Sequence, residues 1–284
     1  MPELPEVETI VRDLNKKLKN KKIVAVLSLD KKVFHLSKGD VKNILGRIVR
    51  GVGRRAKMII FDLTDYYLIM HLKMTGQLVY QDKTLLIAGG HPIANQDKKL
   101  PNKFSRVIFK FNDKSRLYFN DVRRFGWIKL LSRDEFIKFS SYLGVEPLSP
   151  DFTLDYFNKI LSLRQKISIK QALLDQKYIS GIGNIYADES LFIARIKPIR
   201  KIKTLKFGEI KKLWRAIPKI LKYAIKHRGT SFNDYVDAQG QAGNFVKFLK
   251  VYGREGDKCK ACGQLIKKMK LGGRGTHWCD YCQK

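Results

Sequence analysis

The sequence predicts a multidomain α+β protein with an N-terminal β-sandwich that carries one leading helix, a helical domain, and a small cysteine-containing domain at the C-terminus. Three observations predict this fold class. Strand-like patterning fills most of residues 47–131, apolar residues recur at helical spacing beyond residue 150, and all four cysteines lie in the last twenty-six residues. A chain of 284 residues is also long enough for two domains that each bury a core.

The net charge narrows the choice of partner. Lys and Arg number 57 and Asp and Glu number 26, which gives a formal net charge of +31. Such an excess of positive charge indicates that the protein binds a polyanion, and it favours nucleic acid over an anionic membrane surface as the partner. The alternative is that the lysines serve only to solvate the protein surface. No stretch is apolar for long enough to span a bilayer, and acidic residues stand where a signal peptide has basic ones, so we expect a cytoplasmic protein.

Residues 1–132 are predicted to form the β domain. An amphipathic helix over residues 5–19 is indicated by apolar residues at helical spacing: Val7, Ile10, Val11, Leu14 and Leu18. A strand over residues 23–29 and a short helix over residues 38–45, begun by Ser37, follow it. Further strands are expected at residues 48–53, 58–61, 67–72, 107–111, 117–119 and 127–131, and a long loop at residues 82–103. This pattern favours a sandwich.

A linker over residues 133–150, marked by Pro147 and Pro150, separates this domain from a helical one. We assign residues 151–252 to the helical domain and residues 253–284 to the C-terminal domain, with helices expected at residues 166–174, 184–193 and 204–226. The longest helix has a basic face. Such a helix can lie on a membrane, but an apolar stripe within a helical domain more often packs into its core.

The first residues combine an amine with a carboxylate. Removal of Met1 is expected because residue 2 is small, and it would leave Pro2 as a free secondary amine beside Glu3. An α-amino group titrates near ~7.7–8.0, so near neutral pH it is more often unprotonated than a lysine. A proline amine that attacks an aldehyde-level carbon forms an iminium, which is an electron sink. The alternative is an ordinary helix start, with Pro5 and acidic residues in its first turn.

The four cysteines form two Cys-x2-Cys pairs separated by 16 residues: Cys259, Cys262, Cys279 and Cys282. Two such pairs can place four thiolates around one structural Zn²⁺, which would stabilise a domain too small to bury a core. Free thiols or disulfides are the alternative, which a cytosolic location disfavours. Residues 271–276, between the pairs, are expected to form a hairpin with Arg274 at its tip.

Two further motifs are weak when each is taken alone. The stretch Gly181-Ile182-Gly183-Asn184 precedes a predicted helix, and its backbone N–H groups could bind a phosphate, although many helix connections contain glycine. Arg123, Phe125 and Met74 suit a wedge inserted into a base stack from which a base has been extruded. Phe125 and Met74 could equally be ordinary core residues.

Together these motifs resemble the formamidopyrimidine-DNA glycosylase family of base-excision repair enzymes along nearly the whole chain and in the same order. The matching stretches are Pro2-Glu3-Leu4-Pro5-Glu6-Val7-Glu8-Thr9, Arg54-Arg55-Ala56-Lys57, His71-Leu72-Lys73-Met74-Thr75-Gly76, Asp121-Val122-Arg123-Arg124-Phe125-Gly126, Gly181-Ile182-Gly183-Asn184, Val251-Tyr252-Gly253-Arg254 and Arg274-Gly275-Thr276-His277-Trp278-Cys279. The resemblance implies a β-sandwich, a helix–two-turn–helix domain and a zinc finger with one structural Zn²⁺. It also implies a monomer that acts on damaged double-stranded DNA without an obligatory protein partner.

The activity that the resemblance implies is that of a bifunctional glycosylase and AP lyase. It would excise 8-oxoguanine and formamidopyrimidines and cleave the strand by β,δ-elimination. Pro2 would attack C1′ of the damaged nucleotide and form the Schiff base, and Glu3 would protonate the ring oxygen. Lys57 and Arg274 would contact phosphates and assist β- and δ-elimination, respectively, and Arg123 would face the orphaned cytosine.

The resemblance also implies which residues bind DNA and the lesion. DNA contacts would come from His71, Met74, Arg123, Phe125, Lys166, Lys170 and Asn184. The lesion pocket would be formed by Glu6, Glu189 and a loop near residues 230–245.

The chain departs from the family pattern at four places. Lys73 stands where a glycine is common, Val122 stands where a proline is common, Phe104-Ser105-Arg106 replaces a His-x-His, and the loop at residues 82–103 is long. Two other functions stay open. An endonuclease VIII-like glycosylase for oxidised pyrimidines shares Pro2-Glu3, whereas a zinc-ribbon DNA-binding protein without catalysis would leave these two residues without a role.

Overall fold

The computed structural model describes residues 1–30, 32–83, 86–90, 100–230 and 244–284. The chain divides into two compact units, of which the first is Met1–Ser141 with His227–Val246 and the second is Tyr142–Lys226 with Lys247–Lys284. Residues 227–246 are thus grouped with the first unit, and the helical segment shares the second unit with the cysteine-containing segment. The predicted four-part division at residues 132, 150 and 252 stays a prediction.

The first unit contains two antiparallel sheets. In spatial order, the five-stranded sheet consists of β1 (Ile23–Ser28), β7 (Ser105–Phe111), β8 (Arg116–Asp121), β5 (Gly76–Gln81) and β6 (Leu86–Gly90). The four-stranded sheet consists of β2 (Gly51–Arg55), β3 (Met58–Asp62), β4 (Tyr66–His71) and β9 (Trp127–Ser132). Buried side chains from both sheets and from the leading helix form one hydrophobic core, so the predicted sandwich with a leading helix is confirmed.

That leading helix, α1 (Leu4–Leu18), begins within one residue of the predicted start because Pro5 occupies its first turn. The Glu3 N–H donates to Glu6 Oε2 at 2.9 Å, as in a capping box. Its predicted apolar stripe is buried in the core. The second helix, α2 (Lys38–Ile44), is capped by Ser37 as predicted.

Two segments of the first unit differ from the prediction. Strand β6 lies within residues 82–103, which were predicted as a loop, and it pairs antiparallel with β5. Gly89 and Gly90 give this strand little local β propensity, so the pairing with β5 is what forms it. Helix α3 (Arg133–Ser141) lies in the predicted linker and buries none of its residues, which is why it has no apolar stripe to detect. Residues 91–99 lie outside the described residues.

The second unit is helical and ends in a β-hairpin. Its helices are α4 (Leu154–Ser162), α5 (Ile169–Leu174), α6 (Asn184–Ala194) and α7 (Phe207–Lys226), and its hairpin consists of β10 (Ile266–Leu271) and β11 (Arg274–Cys279). Helix α5 begins later than predicted because Ser168 and Gln171 form a capping box there. Helix α7 packs against α6 and buries its apolar stripe, as predicted. No helix in the described part of the chain is long and apolar enough to span a membrane.

Candidate functional site

The predicted nucleophile precedes the first turn of α1. Pro2 is half-buried, and Glu3 beside it is almost fully buried. The first turn is held from two directions, because Glu6 Oε2 accepts the Glu3 N–H while Glu6 Oε1 accepts the Thr230 N–H at 2.8 Å and the Thr230 hydroxyl at 3.0 Å. The Glu6 carboxylate therefore fixes the N-terminal residues and also binds Thr230, which follows α7 in the chain. Residues 231–243 of the predicted lesion loop lie outside the described residues.

Lys57 lies in the two-residue turn between β2 and β3 and is largely buried. The turn is tied to α1 through one arginine: Arg54 Nε donates to Glu8 Oε2 at 2.9 Å, and Arg54 Nη1 donates to the Ala56 carbonyl at 2.9 Å. Burial has the largest single effect on the pKa of Glu8 and raises it, but the hydrogen bonds and charges of Arg54 and Arg12 together outweigh burial and lower the pKa. Arg54 therefore holds the turn that carries Lys57 in a fixed position relative to α1.

His71 ends β4 and is held in its neutral form. Burial, which is the largest cause, acts together with the nearby charges of Lys73 and Lys57 to lower the pKa of His71 to about 3. Its Nδ1 accepts the Lys73 N–H at 2.9 Å, so the ring proton lies on Nε2. His71 can thus donate a neutral hydrogen bond to a phosphate but cannot contribute a charge.

The three predicted wedge residues lie together on the surface of the first unit. Met74 is 46% exposed and Phe125 is 49% exposed, so neither is a core residue. The Arg123 guanidinium lies 4.6 Å from the centroid of the Phe125 ring, and its Nη1 lies 3.7 Å from Met74 Sδ. Two loops, one between β4 and β5 and one between β8 and β9, thus present a single apolar and cationic cluster.

A buried carboxylate, Asp121, shapes the loop that carries Arg123 and Phe125. Its Oδ1 accepts the Arg123 N–H at 3.1 Å and the Thr75 hydroxyl, and its Oδ2 accepts the Gly126 N–H at 2.7 Å. A Cβ at Gly126 would lie 2.7 Å from the Phe119 ring, so only glycine fits there. In the other loop, Lys73 takes the left-handed region at φ 50°, which favours the glycine common in the family at this place.

The four cysteine thiols of the second unit form a compact cluster. Their sulfur atoms all lie within 4.8 Å of one another, with 3.9 Å between Cys259 and Cys282 and 3.4 Å between Cys262 and Cys279. A tetrahedral zinc with Zn–S bonds of about 2.3 Å needs sulfur atoms roughly 3.8 Å apart. The cluster fits one structural Zn²⁺, as predicted.

Arg274 lies next to the turn of the zinc-finger hairpin. The turn itself is Gly272-Gly273, and both glycines have positive φ, of 55° and 76°. Two such residues make a tight two-residue connection, which L side chains rarely allow. Arg274 is therefore the first residue of β11, exposed and paired with Leu271, rather than the tip of the hairpin.

Lys170 and Asn184 brace this hairpin from inside the second unit. Lys170 is fully buried, and its Nζ lies 2.6 Å from Asp188 Oδ1, 2.9 Å from Thr276 Oγ1 and 3.0 Å from the Gly275 carbonyl. Asn184 Nδ2 donates to the same carbonyl at 2.8 Å. These contacts give Lys170 a structural role next to Arg274, and its predicted DNA contact stays a prediction.

Glu189 binds backbone groups of the second unit. It is fully buried, and its carboxylate accepts the backbone N–H groups of Lys250, Val251 and Tyr252 at 2.9–3.0 Å. Burial raises the pKa of Glu189, while these three N–H groups oppose the rise. Glu189 therefore organises the start of the Val251-Tyr252-Gly253-Arg254 stretch, and its predicted place in the lesion pocket stays a prediction. Lys166, by contrast, is exposed just before α5.

The sequence did not reveal three residues that hold these groups in place, namely Arg54, Asp121 and Asp188. Arg54 and Asp121 lie in quoted motifs, but motif membership does not distinguish a ligand-binding side chain from one that binds backbone. Asp188 is fully buried and contacts Lys170 and the His277 N–H, the latter at 2.9 Å. The available signal was the Asp188-Glu189 pair itself, since two adjacent acids inside an apolar helix need buried partners.

Three family models match consecutive parts of the chain. The formamidopyrimidine-DNA glycosylase N-terminal domain matches residues 1–128, and the formamidopyrimidine-DNA glycosylase H2TH domain matches residues 143–235. The zinc finger found in FPG and IleRS matches residues 256–284.

Whole-length relatives and solved structures agree with these models. A formamidopyrimidine-DNA glycosylase of Pelotomaculum thermopropionicum is 44% identical and one of Desulforamulus reducens is 40% identical, each over 100% of this chain and 99% of the relative. A solved complex of Lactococcus lactis Fpg with DNA that contains an abasic site has a TM-score of 0.86 and 33% identity over 100% of both chains. A complex of a Lactococcus lactis mutant with DNA that contains Fapy-dG has a TM-score of 0.87 and 34% identity over the same coverage. The chain belongs to the formamidopyrimidine-DNA glycosylase family.

Proposed function

We propose that this protein excises oxidised purines, namely 8-oxoguanine and formamidopyrimidines, from duplex DNA and then cleaves the strand by β,δ-elimination. The observation that carries the proposal is the placement of Pro2 and buried Glu3 ahead of α1, in a unit that also exposes Met74, Arg123 and Phe125. The first group suits covalent chemistry at a sugar carbon, and the second suits the gap left by an extruded base. Family membership supports the same substrate class.

The first step uses the amine of Pro2 once Met1 has been removed. The nitrogen lone pair attacks C1′, the bond from C1′ to the base breaks, and the base leaves with the electrons of that bond and takes up one proton, while the new C1′–nitrogen centre loses its N–H proton. As the sugar ring opens, Glu3 gives a proton to the ring oxygen, which becomes a hydroxyl, and the C1′–nitrogen bond becomes an iminium. Glu3 suits this role because its carboxyl group is adjacent to the amine in the sequence and shielded from bulk water.

Strand cleavage follows from the iminium. Loss of a proton from C2′ feeds electrons into the iminium and expels the 3′-phosphate, and a second elimination expels the 5′-phosphate. We propose that Lys57 neutralises charge at the first leaving phosphate and Arg274 at the second. The Arg54 contacts would hold the Lys57 turn, and the Lys170 and Asn184 contacts to Gly275 would hold the peptide next to Arg274.

DNA binding would use both charge and shape. Met74, Arg123 and Phe125 would fill the vacated space in the duplex, with Arg123 facing the orphaned cytosine. His71 and Lys166 would bind phosphates, and Asn184 would do so together with its contact to Gly275. A net charge of +31 supports duplex DNA as the partner. We further propose that Glu6 and residues 230–245 contribute to the lesion pocket, and that the enzyme works as a monomer in the cytoplasm, where the bacterial chromosome lies.

Borohydride trapping tests the proposed activity and substrate class. Borohydride reduces the iminium to a stable amine, so a covalent protein–DNA adduct reports the intermediate. We expect much more adduct on a duplex with 8-oxoguanine opposite cytosine than on one with thymine glycol, and none on undamaged duplex. Equal trapping on thymine glycol would move the protein to the oxidised-pyrimidine specificity of endonuclease VIII. Tight DNA binding without any adduct would favour a non-catalytic DNA-binding protein.

A further inference from the structure

A pocket of about 370 Å³ lies between α6 and α7 of the second unit. Its volume falls within the range of roughly 300–1,000 Å³ that is usual for ligand sites. None of the residues that the proposed chemistry or DNA binding uses lines it. We call it the α6–α7 pocket.

The floor of the α6–α7 pocket is apolar. It is formed by Ile193, Ala194 and Ala216, where the two alanines are buried and Ile193 is 38% exposed. An apolar group that covers Ile193 would remove its side chain from water, and this burial would contribute favourable free energy to binding.

The rim of the same pocket is cationic. It consists of Arg195 at the end of α6 and of Lys212, Arg215 and Lys219 along one face of α7, and all four are exposed. Within the described part of the chain, no acidic side chain forms an ion pair with any of them. Other cations of this unit have such partners, as Arg200 has Glu209 and Lys197 has Asp280. The pocket therefore carries uncompensated positive charge around an apolar floor.

We propose that the α6–α7 pocket docks an acidic peptide segment of another protein, with one bulky apolar side chain on the floor and carboxylates on the rim. Lys212 and Lys219 lie seven residues apart on α7, or about 10 Å along the helix. An extended peptide advances about 3.3 Å per residue, so acids spread over three or four residues match that row of cations. Charge complementarity supplies attraction, and the buried apolar side chain supplies affinity and specificity.

Duplex DNA is the less suitable occupant of this pocket. The phosphates of DNA could pair with the four cations of the rim, but the DNA backbone offers no apolar group that would cover Ile193. The lining also contains no aromatic residue on which an unpaired base could stack, which is how single strands are usually bound.

The test uses the zinc-loaded full-length chain and a fluorescein-labelled hexapeptide with four acidic residues followed by Leu-Phe, measured by fluorescence anisotropy. We expect saturable binding that weakens about tenfold when Leu-Phe is replaced by Ser-Ser. The double variant Lys212→Glu with Arg215→Glu should also weaken binding about tenfold, since it turns two ion pairs into repulsions. The matched control, Lys211→Glu with Lys222→Glu, changes the net charge equally on the same helix outside the pocket and should change affinity less than about twofold. A ¹³C-methyl spectrum should show the Ile193 resonance shifting on titration.

Three outcomes would overturn the proposal. The first is no saturable binding, and the second is equal weakening by both double variants, which would reveal general electrostatic attraction. The third is displacement of the peptide by undamaged duplex, together with an equal loss of DNA affinity in the pocket variant, which would make the pocket part of the DNA surface. Circular dichroism of each variant distinguishes these outcomes from a loss of fold.

Discussion

The two units of the molecule differ in the environment of the residues predicted to bind DNA or the lesion. In the first unit Met74, Arg123 and Phe125 lie on two loops with their side chains exposed, where a ligand could contact them. In the second unit Lys170 and Glu189 are fully buried and bind groups of the protein itself. A motif therefore locates a functional region, while burial and hydrogen bonding decide whether a given side chain contacts the ligand or supports the backbone that does.

The largest expected effect separates the units by their dependence on metal. Zinc chelation should abolish protection of the hairpin amides at residues 266–279 in hydrogen exchange, because structural zinc supplies about 10–16 kcal/mol of apparent binding energy to such a domain. The sheets of the first unit, which have their own core, should keep their protection. Added zinc should restore the hairpin. Hairpin protection that survives verified removal of the metal would contradict the zinc-dependent account.

A matched pair of lysine variants tests whether Lys170 supports the fold or contacts DNA. Lys170→Met should cost about 3–5 kcal/mol in urea unfolding, because it leaves the buried Asp188 carboxylate without its cation. The exposed Lys166→Met should cost less than about 0.5 kcal/mol. Lys166→Met should instead weaken duplex binding, and it should reduce the slope of the logarithm of the binding constant against the logarithm of the salt concentration by about one. If Lys170→Met is as stable as the parent protein and loses only DNA affinity, Lys170 contacts phosphate after all.

His71 gives the first unit a defined pH dependence. Its pKa of about 3 lies below the ordinary value of about 6.5 that it regains on unfolding, so the unfolded state binds the proton more readily. The stability that neutral His71 confers is present above pH ~6.5 and is lost as the pH falls, by about 2 kcal/mol at pH ~5. Urea unfolding at both pH values should show this loss in the parent protein and a smaller one in His71→Gln. Identical losses in the two proteins would mean that His71 titrates normally.

The smallest expected change in stability accompanies a clear change in activity. Phe125→Ala should alter stability by less than about 0.5 kcal/mol because the ring is half exposed. It should slow single-turnover base excision about tenfold or more, since the wedge helps to offset the few kcal/mol of unstacking. Val122→Ala is the control, because Val122 is 41% exposed in the same loop and has no proposed DNA role. Equal effects of the two variants would remove Phe125 from the wedge.

Strong local patterns in the sequence predicted most of the elements. Helix α1 and strands such as β3 and β4 were recognisable because their apolar residues follow one periodicity. Strand β6 and helix α3 were missed because one depends on pairing with a distant strand and the other buries no stripe. The later start of α5 was readable in principle, since Ser168 and Gln171 have capping-box spacing.

The candidate site was predictable to a similar degree. Spacing alone predicted the four zinc ligands, since they are close in sequence and chemically distinctive. The roles of Lys170 and Glu189 depend on partners about 60–105 residues away, at Lys250 and Gly275, which no local pattern encodes. Such long-range polar contacts are where inference from a motif is least dependable.

The central claim is that Pro2 is the nucleophile, and the most direct test locates the trapped carbon. Protein trapped by borohydride on a duplex with 8-oxoguanine opposite cytosine is digested, and the modified peptide is sequenced by mass spectrometry. The account predicts that the sugar remnant lies on the amine of Pro2, in a protein that has lost Met1. A remnant on Lys57 or any other lysine, or full activity in a protein that retains Met1, would contradict it.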